Sequence, residues 1–235
     1  MNVGSEYTNV MAAALERRLP FVQKVYGLFL AGILVSIAAA AYMLGGPQLR
    51  MGDLVVPARV MGAVNSYGVI IIAFFISFFV ASAVRRKPVI NLVMMFVFTA
   101  ISGAMIAPRL WISTVEAPGT VPLAGALTAV AFATLTLYAM LSRRSFSFLG
   151  AGLTIALLGL IIGGLLNSFF FHSPAAHLFM AWGAVVIFSG FILYDTSVIL
   201  RNLDDEEYVA GALSLYLDFI NLFLAILRIL GGNRR

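Results

Sequence analysis

The chain has 235 residues, of which 62% are hydrophobic and only 11% charged; a water-soluble domain carries about a quarter charged residues, so a soluble globular fold is excluded. The net charge of +5 does not point to nucleic acid, because the basic residues fall in small groups between apolar runs, with no basic stripe and no groove-reading motif. Cysteine is absent, which removes disulfides, thiol catalysis and cysteine metal sites.

Counted in bilayer crossings of about 20 apolar residues each, the length predicts seven helices and an all-α membrane bundle. Residues 1–19, with Glu6, Glu16, Arg17 and Arg18, are polar and lack a short apolar core followed by a cleavage site, so they are expected to form a cytoplasmic segment and no cleaved signal peptide. A transmembrane domain over 20–235 follows, with spans expected near 20–44, 61–84, 88–107, 119–141, 148–171, 176–200 and 209–230. Each reads as helix, since none alternates with period two and an isolated apolar run must satisfy its backbone internally. The connections are short, and the longest, Gly45 to Val60, opens on Gly-Gly-Pro and continues through Arg50, Asp53 and Arg59. Span five contains Gly159 and Gly163, a small-residue pair expected to serve helix packing.

With a cytoplasmic N-terminus the inner segments hold Arg17, Arg18, Lys24, Arg85, Arg86, Lys87, Arg143, Arg144 and Arg201, against Arg50, Arg59 and Arg109 outside. The bias follows the positive-inside rule and predicts a multi-pass membrane protein with its N-terminus in the cytoplasm. Seven full crossings put Arg228, Arg234 and Arg235 outside, and a last segment that re-enters would return them inside; both arrangements stay open.

Of the ten acids, only Asp195 and Asp218 lie within apolar runs. A carboxylate at mid-bilayer costs about 2.5–3.5 kcal/mol on insertion scales, so it is expected to face a partner or a wet cavity. The hairpin joining them has its tip near Asp205, ten residues after one acid and thirteen before the other; at about 1.5 Å of rise per residue both sit at comparable depth and can touch. Ser214, Asn221 and Gly211 share the helical face of Asp218, a small and polar stripe suited to a bundle interior. Two carboxyls in contact cannot both ionise cheaply, so the pair is expected to share a proton and act as a proton-sensitive switch. The bland alternative is that each acid separately caps a helix or binds a backbone amide. Arg85, ending span two on the same side, is the expected third member through its long side chain, or else a plain topology charge beside Arg86 and Lys87.

His172 and His177 stand in a loop without carboxylates, which argues against a metal site, and no protease, hydrolase or nucleotide-binding motif occurs. The only lysines are Lys24 and Lys87, so no Schiff base forms in the last span.

Arg144-Ser-Phe-Ser-Phe-Leu-Gly150, Phe188-Ser-Gly-Phe-Ile-Leu-Tyr-Asp195, Ala212-Leu-Ser-Leu-Tyr-Leu-Asp-Phe-Ile-Asn-Leu-Phe223 and Leu227-Arg-Ile-Leu-Gly231 closely resemble the transmembrane Bax inhibitor motif family in its bacterial branch. The resemblance covers the chain from about Val22 onward and is looser in the first two spans and at 109–120. It implies six helices around a central C-terminal one, and a pH-sensitive calcium leak. It also implies that Asp195 and Asp218 form a hydrogen-bonded sensor latched by an arginine ending the second span. Spacing to Ser102-Gly103 assigns that latch to Arg85, with Arg86 as the rival. Some bacterial relatives instead modulate a membrane protease, which keeps a second function in play: an embedded interaction protein carrying no ions. The charged tail of animal members is nearly absent, as only Gly232 to Arg235 follow. The expectations are a non-enzymatic monomer in the lipid bilayer without a resident cofactor, H⁺ as the signal, and Ca²⁺ as the transported ion, passing transiently over the hard oxygens of Asp195 and Asp218.

Overall fold

A computed structural model describes residues 3–84, 87–142 and 144–232, with side chains from Arg18 onward apart from Pro88. The chain forms α1 (Val3–Leu44), a hairpin of β1 (Gln48–Met51) and β2 (Leu54–Pro57), then α2 (Ala58–Asn65), α3 (Tyr67–Ala83), α4 (Pro88–Glu116), α5 (Thr120–Leu141), α6 (Leu149–Leu166), α7 (Pro174–Arg201) and α8 (Tyr208–Gly232). Among the described residues six of these helices are long and apolar enough to cross a membrane, or seven if the bent pair α2 and α3 is counted as one broken span. This is an all-α, multi-pass membrane fold.

Helix α8 is the centre. It buries residues all round its circumference, among them Ala212, Leu215, Tyr216, Leu222 and Leu227, and packs against α1, α4, α5 and α7. A helix apolar on every face belongs inside a bundle rather than at its rim. Helix α6 is its opposite: none of its residues is buried, so it presents most of its surface outward and packs chiefly against α7.

Backbones approach most closely between α1 and α4. A Cβ added at Gly103 would run into the Ser36 carbonyl, and one at Gly32 would lie 3.2 Å from Met95 and Thr99. Glycine is what permits this contact, and close contact is what holds helices together where lipid offers no hydrophobic contrast.

Several boundaries differ from the apolar runs. Helix α1 begins well before Pro20 and passes through it, although the stretch fit to cross the membrane starts at Arg18. The expected single span at 61–84 is broken at Ser66 by 77°. Asn65 and Ser66 are poor helix formers whose side chains compete for the backbone, while α2 lays Val60 and Ala63 against the bundle before α3 turns away. Helix α4 continues past Ala107 and through Pro108 to Glu116. The Gly45–Val60 connection holds an antiparallel hairpin pairing Leu49 with Val56 and Met51 with Leu54, turned at Gly52 with a φ of 63°. A π-helical turn, Asn167–Phe171, ends the sixth helix, and Asn167 bonds both backbone groups of Ser173, at 3.1 and 3.0 Å.

Candidate functional site

Asp195 lies on α7 and Asp218 on α8, and a tight connection containing a 3₁₀ turn, Asp205–Glu207, joins the two helices. Because the helices run antiparallel from that turn, the carboxyl groups reach the same depth and come within hydrogen-bonding reach of each other. The sequence-predicted pair is thus brought together. The two environments are unequal: Asp218 is 4% exposed, whereas Asp195 is only partly buried. Oδ2 of Asp218 receives no hydrogen bond from any described donor. A buried oxygen without a donor costs about 1–3 kcal/mol.

Three hydroxyls gather round the pair that the sequence did not single out. Tyr26 of α1 and Thr196 of α7 lie 3.2 Å apart, hydroxyl to hydroxyl, and Tyr26 is close enough to both aspartates to feel their charge. Thr136 of α5 sits beside the same phenol but outside hydrogen-bond geometry. Its position beside Asp195 was the only hint for Thr196; nothing in the first or fourth expected span marks Tyr26 or Thr136 among many other hydroxyls.

The expected supporting residues do otherwise. The amide of Asn221 donates to the Leu217 carbonyl of its own helix at 2.7 Å, and Ser214 is half-buried without a hydrogen bond among the described residues. Gly211 serves packing, since a Cβ there would meet Leu203 at 2.9 Å and Ile199 at 3.2 Å. Arg85 and Arg86 lie outside the described residues.

The cytoplasmic-facing end expected from the sequence is tied by two other arginines. Arg18 donates to the carbonyls of Ile199 at 3.0 Å and Leu203 at 2.6 Å, which takes up free carbonyls at the end of α7. Arg201 donates to the carbonyls of Ser142 at 2.9 Å and Arg144 at 3.0 Å, holding the link between α5 and α6.

A second polar cluster stands beside the first on α8. Tyr216, fully buried, donates to Ser36 of α1 at 3.0 Å, with the hydroxyl of Ser102 on α4 also in reach. Consecutive polar positions on α8 therefore face different neighbours: Tyr216 turns to α1 and α4, Asp218 to α7.

Among the described residues no group of three or more carboxylate, histidine or cysteine side chains gathers at one place. The aspartates supply two carboxylates where a resident Ca²⁺ takes about 6–8 oxygens, so the site suits a proton or a passing cation better than a held one.

Residues 18–235 match the sequence profile of the family described as "Inhibitor of apoptosis-promoting Bax1". The chain is 36% identical over 230 residues to the Golgi anti-apoptotic protein of Vaccinia virus (strain Lister), covering 97% of this chain and 91% of the relative. It is 34% identical over 222 residues to protein lifeguard 4 of Mus musculus, covering 94% and 88%. An uncharacterized membrane protein of Vibrio cholerae is 37% identical over 143 residues, covering 60% and 63%.

Proposed function

Since this chain belongs to the transmembrane Bax inhibitor motif family, we propose that it is a pH-sensitive leak for a cation, with Ca²⁺ as cargo, gated by Asp195 and Asp218. The observation that carries the proposal is the meeting of two carboxyl groups at one buried place where Asp218 Oδ2 has no donor. A proton held between the carboxyls supplies the missing donor and removes one of two like charges from a low-dielectric setting. Asp195, which keeps part of its surface open, is the group through which that proton exchanges. In the closed state an arginine following α3, Arg85 or its neighbour Arg86, latches Asp195, and protonation of the pair weakens the latch. The protein then works as a monomer in a bacterial inner membrane with its N-terminus in the cytoplasm. Ca²⁺ dye entry into proteoliposomes, followed against pH, tests this: flux rises as pH falls in the native protein, and Asp195→Asn and Asp218→Asn flatten the response. Native rate and pH dependence in both variants would sink it.

A second function fits α6. A helix with no buried residue offers a long face to another membrane protein, so the chain would dock on a partner such as a membrane protease and carry no ions. Its marks are a stable co-purifying partner together with flux no greater than that of empty liposomes.

A further inference from the structure

Helices α1 and α5 touch at one level and part above it. Phe29 stacks on Phe132 with ring centres 4.8 Å apart, and Phe219 of α8 closes against both at 5.8 and 5.6 Å. Toward the end of the bundle that carries the β-hairpin, the facing residues become small: Ala40 and Ala41 on α1, Gly125 on α5. They cannot fill the gap, and a slot of about 460 Å³ opens sideways between the helices, floored by Phe219 and Phe223 of α8 and walled by Leu110 of α4.

The dimensions and lining select the occupant. On α1 the slot extends from Ile33 to Leu44, about 16 Å at the helical rise, which is about half of a hydrocarbon core roughly 30 Å thick. That volume over that length leaves a cross-section of about 30 Å², room for a hydrocarbon chain but less than half of what a helix some 10 Å across requires. The hydroxyl of Ser36, which lines the slot, already accepts from Tyr216 at 3.0 Å, so the walls ask for nothing polar. The same surface continues into the lipid-facing exterior, where Ile37 is 59% exposed.

Two of the helices bounding the slot, α4 and α8, also carry a pair of cations toward that end. Arg109 precedes the wall residue Leu110, its guanidinium reaches to within 3.6 Å of where a Cβ on Gly231 would stand, and it lies near enough to Arg228 for the two charges to repel. Neither makes an ion pair among the described residues. Two neighbouring guanidiniums paired with no carboxylate among the described residues form an anion site, and a phosphate is an anion their planar donors match.

We propose that the slot between α1, α4, α5 and α8 binds one acyl chain of an anionic phospholipid, whose phosphate sits between Arg109 and Arg228. The chain fills the space that small side chains leave, and the phosphate relieves the repulsion between the two arginines.

Native mass spectrometry of the purified full chain in detergent, with phosphatidylglycerol or phosphatidylcholine of identical chains added, tests both halves. One phosphatidylglycerol is expected to stay bound, several-fold more often than phosphatidylcholine. Gly125→Leu, whose Cβ enters open space, and Ala41→Phe from the opposite wall each abolish lipid retention. Arg109→Gln with Arg228→Gln keeps a bound lipid but loses the preference between headgroups. Glycerol phosphate, the headgroup without its chains, does not compete. Equal retention of the two lipids by the native protein would overturn the phosphate site, as would a preference surviving in the double glutamine variant. Undiminished retention in either slot-filling variant would overturn the acyl-chain site, and competition by glycerol phosphate would make the ligand a free anion instead of a lipid.

Discussion

The hydroxyls of Tyr26 and Thr196 meet at 3.2 Å, linking α1 to the residue immediately after Asp195. Thr196 is fully buried, so its hydroxyl depends on this partner. Tyr26→Phe is expected to cost about 1 kcal/mol, the usual worth of such a bond plus the desolvation left behind. Thr196→Val costs a similar amount, and the double variant costs less than the two together because both remove one interaction. Thermal melting of the three variants in detergent reads this directly; strict additivity would mean the hydroxyls act independently.

The same link bears on the proposed gating. If Tyr26 orients α7 at the aspartate pair, the midpoint of the flux response to pH moves in Tyr26→Phe while the maximal rate is kept. A purely structural phenol would leave the midpoint in place and lower only the melting temperature.

Asp218→Asn keeps the shape of the side chain, removes a buried charge and supplies two donors where Oδ2 now has none. Taking away one member of a buried ion pair commonly costs 3–5 kcal/mol, yet here the neighbour is a like charge, so the substitution is expected to leave thermal stability unchanged or raise it. A pH series of melting curves on the Asp195→Asn, Asp218→Asn double variant should show no pH dependence attributable to this site. A steep loss of stability in Asp218→Asn would contradict the proposed sharing of a proton.

Gly103 and Gly152 separate packing from propensity. Alanine at Gly103 would drive a methyl group into the Ser36 backbone, and backbone cannot yield as a flexible side chain can, so about 1–3 kcal/mol or more is lost as α1 and α4 move apart. Alanine at Gly152 meets nothing within 4 Å and gains up to about 1 kcal/mol from better helix propensity. The two melting temperatures should shift in opposite directions.

Tyr216→Phe removes the bond to Ser36 while keeping the ring edge-on to Phe98, centres 5.9 Å apart. The expected loss is about 0.6–1.7 kcal/mol, the range measured for polar contacts between membrane helices. Ser36→Ala should lose no more than this, and flux should keep its pH response in both, since this cluster faces away from α7.

The aspartate pair was legible in the sequence for a simple reason: ionisable groups are costly inside apolar runs, and residue counting through a short hairpin fixes their relative depth. The hydroxyls around the pair were not, because Tyr26 is brought to Thr196 from 170 residues away and threonines and tyrosines occur throughout these spans. Asn221 shows the limit of face arithmetic: it shares the stripe of Asp218, but its own helix offers the Leu217 carbonyl nearer at hand. The hairpin did leave a signal, Gly52-Asp53 between Leu49-Arg-Met51 and Leu54-Val-Val56, a two-residue turn between strand-like runs overshadowed by the long hydrophobic stretches on either side. The break at Ser66 escaped because hydropathy averages across it. Helix α4 outruns its expected end at residue 107 because neighbouring helices in a membrane can compensate the bond that Pro108 lacks.

Every other described helix precedes α8 in chain order, and α1, α4, α5 and α7 pack around it. During synthesis, then, α1, α4, α5 and α7 must wait in the bilayer with their inward surfaces incompletely covered. The carboxylate of Asp218 reaches them last, and it arrives joined by a short turn to the helix that bears Asp195. Entering as one unit, α7 and α8 let the two acids meet before either faces hydrocarbon alone, so the short turn between them also eases the final step of assembly.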